Sequence, residues 1–194
     1  MENDRRTKRT KLLLKNAFTE LLSMKTLNEI SVKELCELAD INRGTFCLHY
    51  QDIYDLLASI FLNEDVPGLS DCNTIREILE CLLAYSIRNF DFLHSTYMSA
   101  GSDLVSDFFY NKIITSMISL YSTHPSIGIP KASFRNVARR FAINVSQEFE
   151  FAFKNQDTNA LKVERTLKKY IISATTILYP AIVSLSKEER KRSL

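Results

Sequence analysis

Between Ser133 and Asn155 the apolar residues recur every three or four positions, which is the spacing of one face of an α-helix. This stripe consists of Phe134, Val137, Ala138, Phe141, Val145, Phe149, Ala152 and Phe153. The polar residues opposite it are Arg135, Arg139, Arg140, Gln147 and Glu150. Because an amphipathic helix is stabilised mainly by packing of its apolar face, the segment predicts a fold in which helices pack on one another.

Residues that interrupt helices are scarce in the rest of the chain. Four glycines and four prolines occur in 194 residues, and most lie between segments with helical spacing. Outside the region from 31 to 68, the predicted helices cover residues 10–25, 73–89, 92–99, 102–123, 133–155 and 159–185. The sequence therefore predicts an all-α fold.

The composition is that of a soluble globular protein, with 45% hydrophobic and 25% charged residues. The N-terminus is charged and has no apolar core of a signal peptide, and the longest apolar run, 170–183, is too short to span a bilayer. The cysteines show no metal-binding spacing, which is typical of free thiols in a reducing compartment; they are Cys36, Cys47, Cys72 and Cys81. We expect a cytoplasmic protein with no membrane, metal or cofactor.

Residues 31–50 predict two short helices joined by a tight turn. Ser31 is a good N-cap, and Glu34 stands where it would complete a capping box. Asp40 tolerates the left-handed backbone that often ends a helix, and Asn42 can cap the second helix. Tyr50 ends that helix with an aromatic side chain that can anchor it to a core.

A second helix held across a first by such a turn can lie in the major groove of DNA. Its side chains outside the predicted core are Arg43, Thr45, Leu48 and His49. Gly44 is poor in a helix interior, which fits a close approach to a phosphate or to a neighbouring helix. The alternative is an ordinary helical hairpin inside an all-α protein.

Six cations lie just ahead of this motif without an acid among them. They are Arg5, Arg6, Lys8, Arg9, Lys11 and Lys15. A flexible basic arm of this kind can follow phosphates or enter a minor groove. The alternative is a solvated helix start, since basic runs are common.

Residues 8–68 resemble the N-terminal domain of the TetR family of bacterial transcriptional regulators. The resemblance is carried by the entry at 30–32, the turn at 38–46, His49, Tyr50 and Asp52, and the pair at 56–57. It implies an all-helical homodimeric repressor with a helix-turn-helix domain over 1–68, its motif at 31–50, and a ligand-sensing and dimerisation domain over 69–194. The sequence departs from the family pattern at Thr26, Asp40, Cys47 and Ile53.

The expected contacts are with an operator duplex and an unidentified ligand. The candidate DNA-binding residues are Arg5, Arg6, Lys8, Arg9, Ser31, Asn42, Arg43, Gly44, Thr45, Leu48, His49 and Tyr50. The candidate ligand-binding residues are the aromatic Phe90, Tyr97, Phe109, Tyr110, Phe141 and Phe149, although aromatic residues more often pack a core. The last helix becomes apolar nearly all round from Ile171 and must therefore be covered on every side. This favours a homodimer through the C-terminal helices. The alternative is burial of the helix inside a monomer.

No catalytic motif is present, and the cysteines and acids near His49, His94 and His124 in sequence do not form a recognisable catalytic arrangement with them. We therefore expect a regulator and not an enzyme. It would be a repressor that a small molecule releases from a palindromic operator. The alternative is a helical module of the same architecture that binds a protein partner or a ligand without reading DNA, which Cys47 and Ile53 favour slightly.

Overall fold

The computed structural model describes residues 2–123, 130–155 and 158–180, and these contain α-helices, short 3-10 turns and no strand. The α-helices are α1 Glu2–Met24, α2 Val32–Leu38, α3 Arg43–His49, α4 Ile53–Asn63, α5 Ile75–Arg88, α6 Phe90–Tyr97, α7 Ser102–Thr123, α8 Lys131–Phe153 and α9 Ala160–Ser173. Short 3-10 helices cover Leu27–Glu29 and Leu69–Asp71, and α9 continues as a π-helical turn over Ala174–Leu178. The predicted all-α fold class is confirmed.

Helix α1 begins earlier than predicted. The apolar periodicity starts it at Thr10 and leaves the preceding basic residues to a flexible arm, but α1 is helical from Glu2. That prediction was wrong because Arg and Lys are good helix formers even where no apolar periodicity marks a helix. The predicted bounds of α7 are those observed, and the predictions for α5, α6 and α8 fall within two residues. The predicted helix end at 185 and His124 lie outside the described residues.

The chain divides into two compact units. The first comprises Met1–Glu64 and Asp91–Val105, and the second comprises Asp65–Phe90 and Ser106–Leu194. The sequence pattern does not indicate that 91–105 joins the first unit. The functional division at residue 68 remains a prediction.

Helices α1 to α4 form the core of the first unit through side chains with no exposed surface, namely Leu14, Phe18, Leu35, Phe46, Leu56 and Leu57. The ring of Phe92 lies 5.5 Å from that of Phe61, and the Ser95 hydroxyl donates to the Leu22 carbonyl at 3.1 Å. Gly101 is buried beside Leu57, where an added Cβ would come within 2.7 Å of a side-chain methyl. These contacts are what attach 91–105 to the N-terminal helices.

The α8 stripe lies in the core of the second unit. All eight of its apolar residues are buried, as predicted, and the opposite arginines are exposed. The Phe109 ring of α7 packs against Phe149 at 4.7 Å, and the Tyr170 hydroxyl of α9 donates to Asn144 at 2.6 Å. Helices α7, α8 and α9 are thus joined through α8.

Candidate nucleic-acid interface

The turn between α2 and α3 depends on a left-handed residue. Asp40 has a φ of 52°, which confirms the conformation predicted for it. The Ile41 amide donates to the Cys36 carbonyl at 2.9 Å, and the Asp40 amide donates to the Glu37 carbonyl at 3.3 Å. These two bonds satisfy carbonyls at the end of α2 and fix where the chain turns into α3.

Helix α2 begins at a serine cap. The Ser31 hydroxyl accepts a hydrogen bond from the Glu34 amide at 3.2 Å, as predicted. The Glu34 carboxylate does not complete the predicted capping box but forms an ion pair with Lys25. A glutamate carboxylate instead caps the preceding 3-10 turn, where the amide and hydroxyl of Thr26 donate to Glu29 and hold the pKa of that carboxyl below its ordinary value.

Helix α3 is fixed at both ends. The Asn42 side chain accepts from the Gly44 amide at 2.7 Å, which confirms the predicted cap. Phe46 has no exposed surface, and its ring lies 5.7 Å from that of Tyr50, which is 5% exposed. The Tyr50 ring is therefore an anchor between α3 and the core, in line with its predicted packing role, and it contributes little to the surface.

The outer side of α3 carries a small exposed surface, which we call the α3 face. It consists of Arg43, Gly44, Cys47 and Leu48, which are all exposed and share one side of the helix at spacings of one, four and five residues. Thr45 and His49 are half-buried at its flanks. The α3 face presents one cation and no acid.

Gly44 meets little of the surrounding protein. A Cβ at this position would have Asn42 Oδ1 as its one neighbour within 4 Å, at 3.2 Å. Of the two explanations offered for Gly44, close packing on a neighbouring helix is therefore excluded. Close approach of an external group to the backbone remains a prediction.

The basic residues of α1 lie on helical turns. Five cations in its first three turns are exposed, namely Arg5, Arg6, Lys8, Arg9 and Lys11. Lys15 is half-buried and pairs with Glu64. Lys11 Nζ lies 6.0 Å from the centroid of the Tyr50 ring, at the outer limit of a cation–π contact. One exposed cation of α1 therefore lies beside the residue that anchors α3.

Two positions that depart from the TetR pattern have different surroundings. Ile53 is 7% exposed and packs in the core of the first unit, next to Asp52, which caps α4 by accepting from the Asp55 amide at 2.8 Å. Its apolar character thus has a structural cause. Cys47 is exposed on the α3 face.

The candidate ligand-binding aromatics do not form one group. Tyr97 is buried in the first unit, whereas Phe90, Phe109, Tyr110, Phe141 and Phe149 belong to the second. Phe109, Phe141 and Phe149 have no exposed surface, and Phe90 stacks on Phe153 with ring centroids 5.6 Å apart. A role in binding a ligand remains a prediction for all six.

A cleft that the sequence did not reveal lies between α5 and α9 in the second unit, with a volume of about 570 Å³. Its apolar lining consists of Leu83, Ala84, Ile87, Ile171 and Ile172. Its rims carry ion pairs within each helix, Arg76 with Glu80 at 3.9 Å and Lys168 with Glu164 at 2.6 Å. Opposite charges four residues apart indicate only a solvated helix face, so the sequence carries no signal for this cleft, and the predicted ligand site rested on aromatic residues alone.

The cysteines are free thiols in different surroundings. Cys36 is buried, and burial raises the pKa of its thiol. Burial, helped by the neighbouring Cys81 thiol, raises the pKa of Cys72 to about 11. Within the described part of the chain, no cluster of histidine, cysteine and acidic side chains could hold a metal ion, and no helix is long and apolar enough to cross a bilayer.

Comparison with solved structures supports the fold. The structure of "Dihydroxyacetone kinase operon activator DhaS" is similar, with a TM-score of 0.63, over 87% of this chain and 97% of that chain. The two sequences are 18% identical, so the match establishes a shared helical fold and leaves function to be argued from the site. No protein-family model matches the sequence. No curated protein matches it significantly.

Proposed function

We propose that this protein is a sequence-specific DNA-binding transcriptional regulator in which α3 is the recognition helix. The observation that carries the proposal is the α3 face. A helix of seven residues is capped by Asn42, anchored by Phe46 and Tyr50, and turned outward with Arg43 exposed in its first turn. In the helix-turn-helix mode, the N-terminal residues of the second helix contact base edges while the first helix crosses the backbone.

The distribution of charge supports the same proposal. Arg43 can donate two hydrogen bonds to the O6 and N7 atoms of a guanine, which is the commonest specific contact in a major groove. The exposed cations at the start of α1 are suited to phosphates, where each neutralised phosphate releases counterions. Ser31 is exposed at the start of α2, and Thr45 is half-buried at the flank of the α3 face; both are proposed as further contacts to the DNA backbone.

The alternative was a module of this architecture that binds a partner without reading DNA. Ile53 favoured it because the TetR pattern usually has a lysine there that touches the DNA backbone. Ile53 is buried and makes no such contact, which is expected to lower affinity for DNA but leaves Arg43 exposed on α3. Cys47 is a small side chain on the α3 face and hinders neither function. We therefore prefer DNA recognition, carried out in the cytoplasm.

We further propose a homodimer through α8 and α9. Ile143 and Phe151 of α8 are exposed, outside the buried stripe, and Phe151 is 75% exposed. Leu161, Ile172 and Ile177, on α9 and its π-helical extension, are also exposed. Large apolar side chains on two neighbouring helices are suited to a two-fold interface, in which two helices from each copy form a four-helix bundle.

The oligomeric state tests this interface. Phe151→Glu would place a charge in the apolar contact, so we expect it to turn the dimer into a monomer at micromolar concentration in sedimentation velocity. Leu62→Glu is the matched control, because Leu62 lies on α4 in the first unit and is 84% exposed. A Phe151→Glu protein that remains dimeric would contradict the proposed interface.

A small-molecule ligand is proposed to bind in the second unit and set the affinity for DNA. The α5–α9 cleft has the size of a small-molecule site and an apolar lining with charged rims. The buried aromatics Phe109, Phe141 and Phe149 remain the other proposed location. The TetR resemblance favours repression that the ligand relieves, whereas the similar DhaS is named an operon activator. A reporter assay with and without the operator therefore tests whether binding represses or activates transcription.

The experiment that tests the function is selection of random duplex DNA on the purified protein. We expect a palindrome whose half-sites lie about 34 Å apart, one turn of DNA, because two α3 helices in a dimer meet successive major grooves. Recovery of no preferred sequence would contradict the proposal.

Variants then assign the contact to a residue. On the selected duplex, Arg43→Ala should weaken binding by about 1 to 3 kcal/mol and relax the preference at one base pair of each half-site. Arg135→Ala removes the same charge from α8 in the second unit and should leave binding unchanged. Equal affinity of Arg43→Ala and the parent for the selected site would remove Arg43 from the interface.

A further inference from the structure

Leu48 is the most exposed side chain among the large apolar residues of the first three helices, at 82%. A single exposed leucine is common on protein surfaces and by itself indicates nothing. The position of Leu48 is what matters, because it shares the α3 face with Arg43, Gly44 and Cys47 and no acid accompanies them. The part of α3 that is proposed to enter a major groove therefore carries one cation, Arg43, and one large apolar side chain, Leu48.

We infer that Leu48 contacts the 5-methyl group of a thymine in each half-site and so determines base preference at that position. The inference rests on the proposed function. Among the four bases, thymine is the one that places a methyl group in the major groove, whereas the other base edges present donors and acceptors there. A leucine pressed against those polar edges would remove their water without replacing the hydrogen bonds, which disfavours the other bases.

The geometry of α3 sets the distance between the two contacts. Leu48 follows Arg43 by five residues, which is about 7.5 Å along a helix axis. Successive base pairs are about 3.4 Å apart, so the leucine meets DNA roughly two base pairs from the arginine. Gly44 and Cys47 lie between them on the α3 face. Gly44 has no side chain and Cys47 has a small one, so neither residue keeps the helix away from the bases. Each half-site should therefore hold a guanine and, about two pairs away, a thymine.

Replacing thymine by deoxyuridine tests this directly, because the two bases differ by the methyl group alone. With the full-length protein and the duplex selected from random DNA, each symmetric pair of thymines is replaced in turn and the affinity is measured by fluorescence anisotropy. At one pair of positions we expect a loss of about fourfold per half-site, or about fifteenfold for both, from the transfer free energy of one buried carbon. Replacement at the other thymines should have no such effect.

Variants assign the methyl contact to Leu48. Leu48→Ala should bind the thymine and deoxyuridine duplexes equally, since its shorter side chain no longer reaches the methyl group. Leu62→Ala removes a leucine of similar exposure from α4 and should keep the full deoxyuridine penalty. Because the deoxyuridine series uses the parent protein, it is informative whatever the stability of the variants.

Three results would overturn the inference, and they differ in what else they affect. If specific binding is found and no thymine shows a deoxyuridine penalty, the methyl contact is absent and the proposed function stands. If Leu48→Ala keeps the penalty, another side chain makes the contact. If selection yields no preferred duplex, the inference and the proposed function fail together.

Discussion

Replacing Asp40 by glycine should stabilise the protein, although glycine usually destabilises. Asp40 has a φ of 52°, and an ordinary residue in the left-handed region costs roughly 1–2 kcal/mol. Glycine removes that cost but loses about 0.5–1 kcal/mol through the greater freedom of the unfolded chain. The difference between these two ranges is about 0–1.5 kcal/mol, and aspartate tolerates the left-handed region better than an ordinary residue does. We therefore expect Asp40→Gly to raise the free energy of unfolding by up to about 1 kcal/mol, or up to about 4 °C in Tm.

The matched variants separate backbone strain from charge. Asp40→Asn keeps a side chain that tolerates the left-handed region, so its stability should match that of the parent. Asp40→Ala keeps the strain without the short polar side chain and should be less stable than the parent. Thermal unfolding is followed by circular dichroism at one fixed protein concentration, because a dimer makes Tm depend on concentration. Asp40→Gly that is less stable than the parent would refute the left-handed turn.

Three other changes have expected outcomes. Gly101→Ala should lower the free energy of unfolding, measured by urea denaturation, by about 1–3 kcal/mol, because the new Cβ would lie 2.7 Å from a Leu57 methyl group. An unchanged urea midpoint would show that the packing around Gly101 is loose. Deleting residues 1–9 should lower affinity for all DNA and flatten the dependence of binding on salt, and an unchanged slope would exclude the start of α1 from the interface. Iodoacetamide at pH 8 should label the exposed Cys47 before the half-buried Cys72, and labelling of Cys72 should accelerate only as pH rises towards its pKa of about 11. Labelling of Cys72 at the rate of Cys47 would contradict that raised pKa.

Local chemistry made much of the candidate site predictable from the sequence. Asn42 caps α3 with its own side chain, and Asp40 is one of the few residue types that enter the left-handed region readily. These preferences depend on a few neighbouring residues, so they can be recognised without knowledge of the fold. The eight apolar residues of α8 were predicted for a related reason, because a long stripe defines its face without reference to the partner.

Features that depend on distant packing were not predictable. The attachment of 91–105 to the first unit rests on contacts such as Phe61 with Phe92, which join residues far apart in sequence. Helix α3 has seven residues, too few for periodicity to define its faces, so Tyr50 and Leu48 were grouped as DNA-binding residues although one is buried and the other exposed. The α5–α9 cleft forms only when two helices far apart in sequence come together.

Methylation of guanine N7 on the selected duplex gives the most direct test that α3 reads DNA through Arg43. A methyl group on N7 blocks the acceptor that an arginine uses in the major groove. Methylation of one guanine in each half-site should prevent binding by the parent, and these two guanines should lie about 34 Å apart. The same methylation should not affect binding by the Arg43→Ala variant. Specific binding that no methylated guanine disturbs, or equal interference with both proteins, would contradict the central claim.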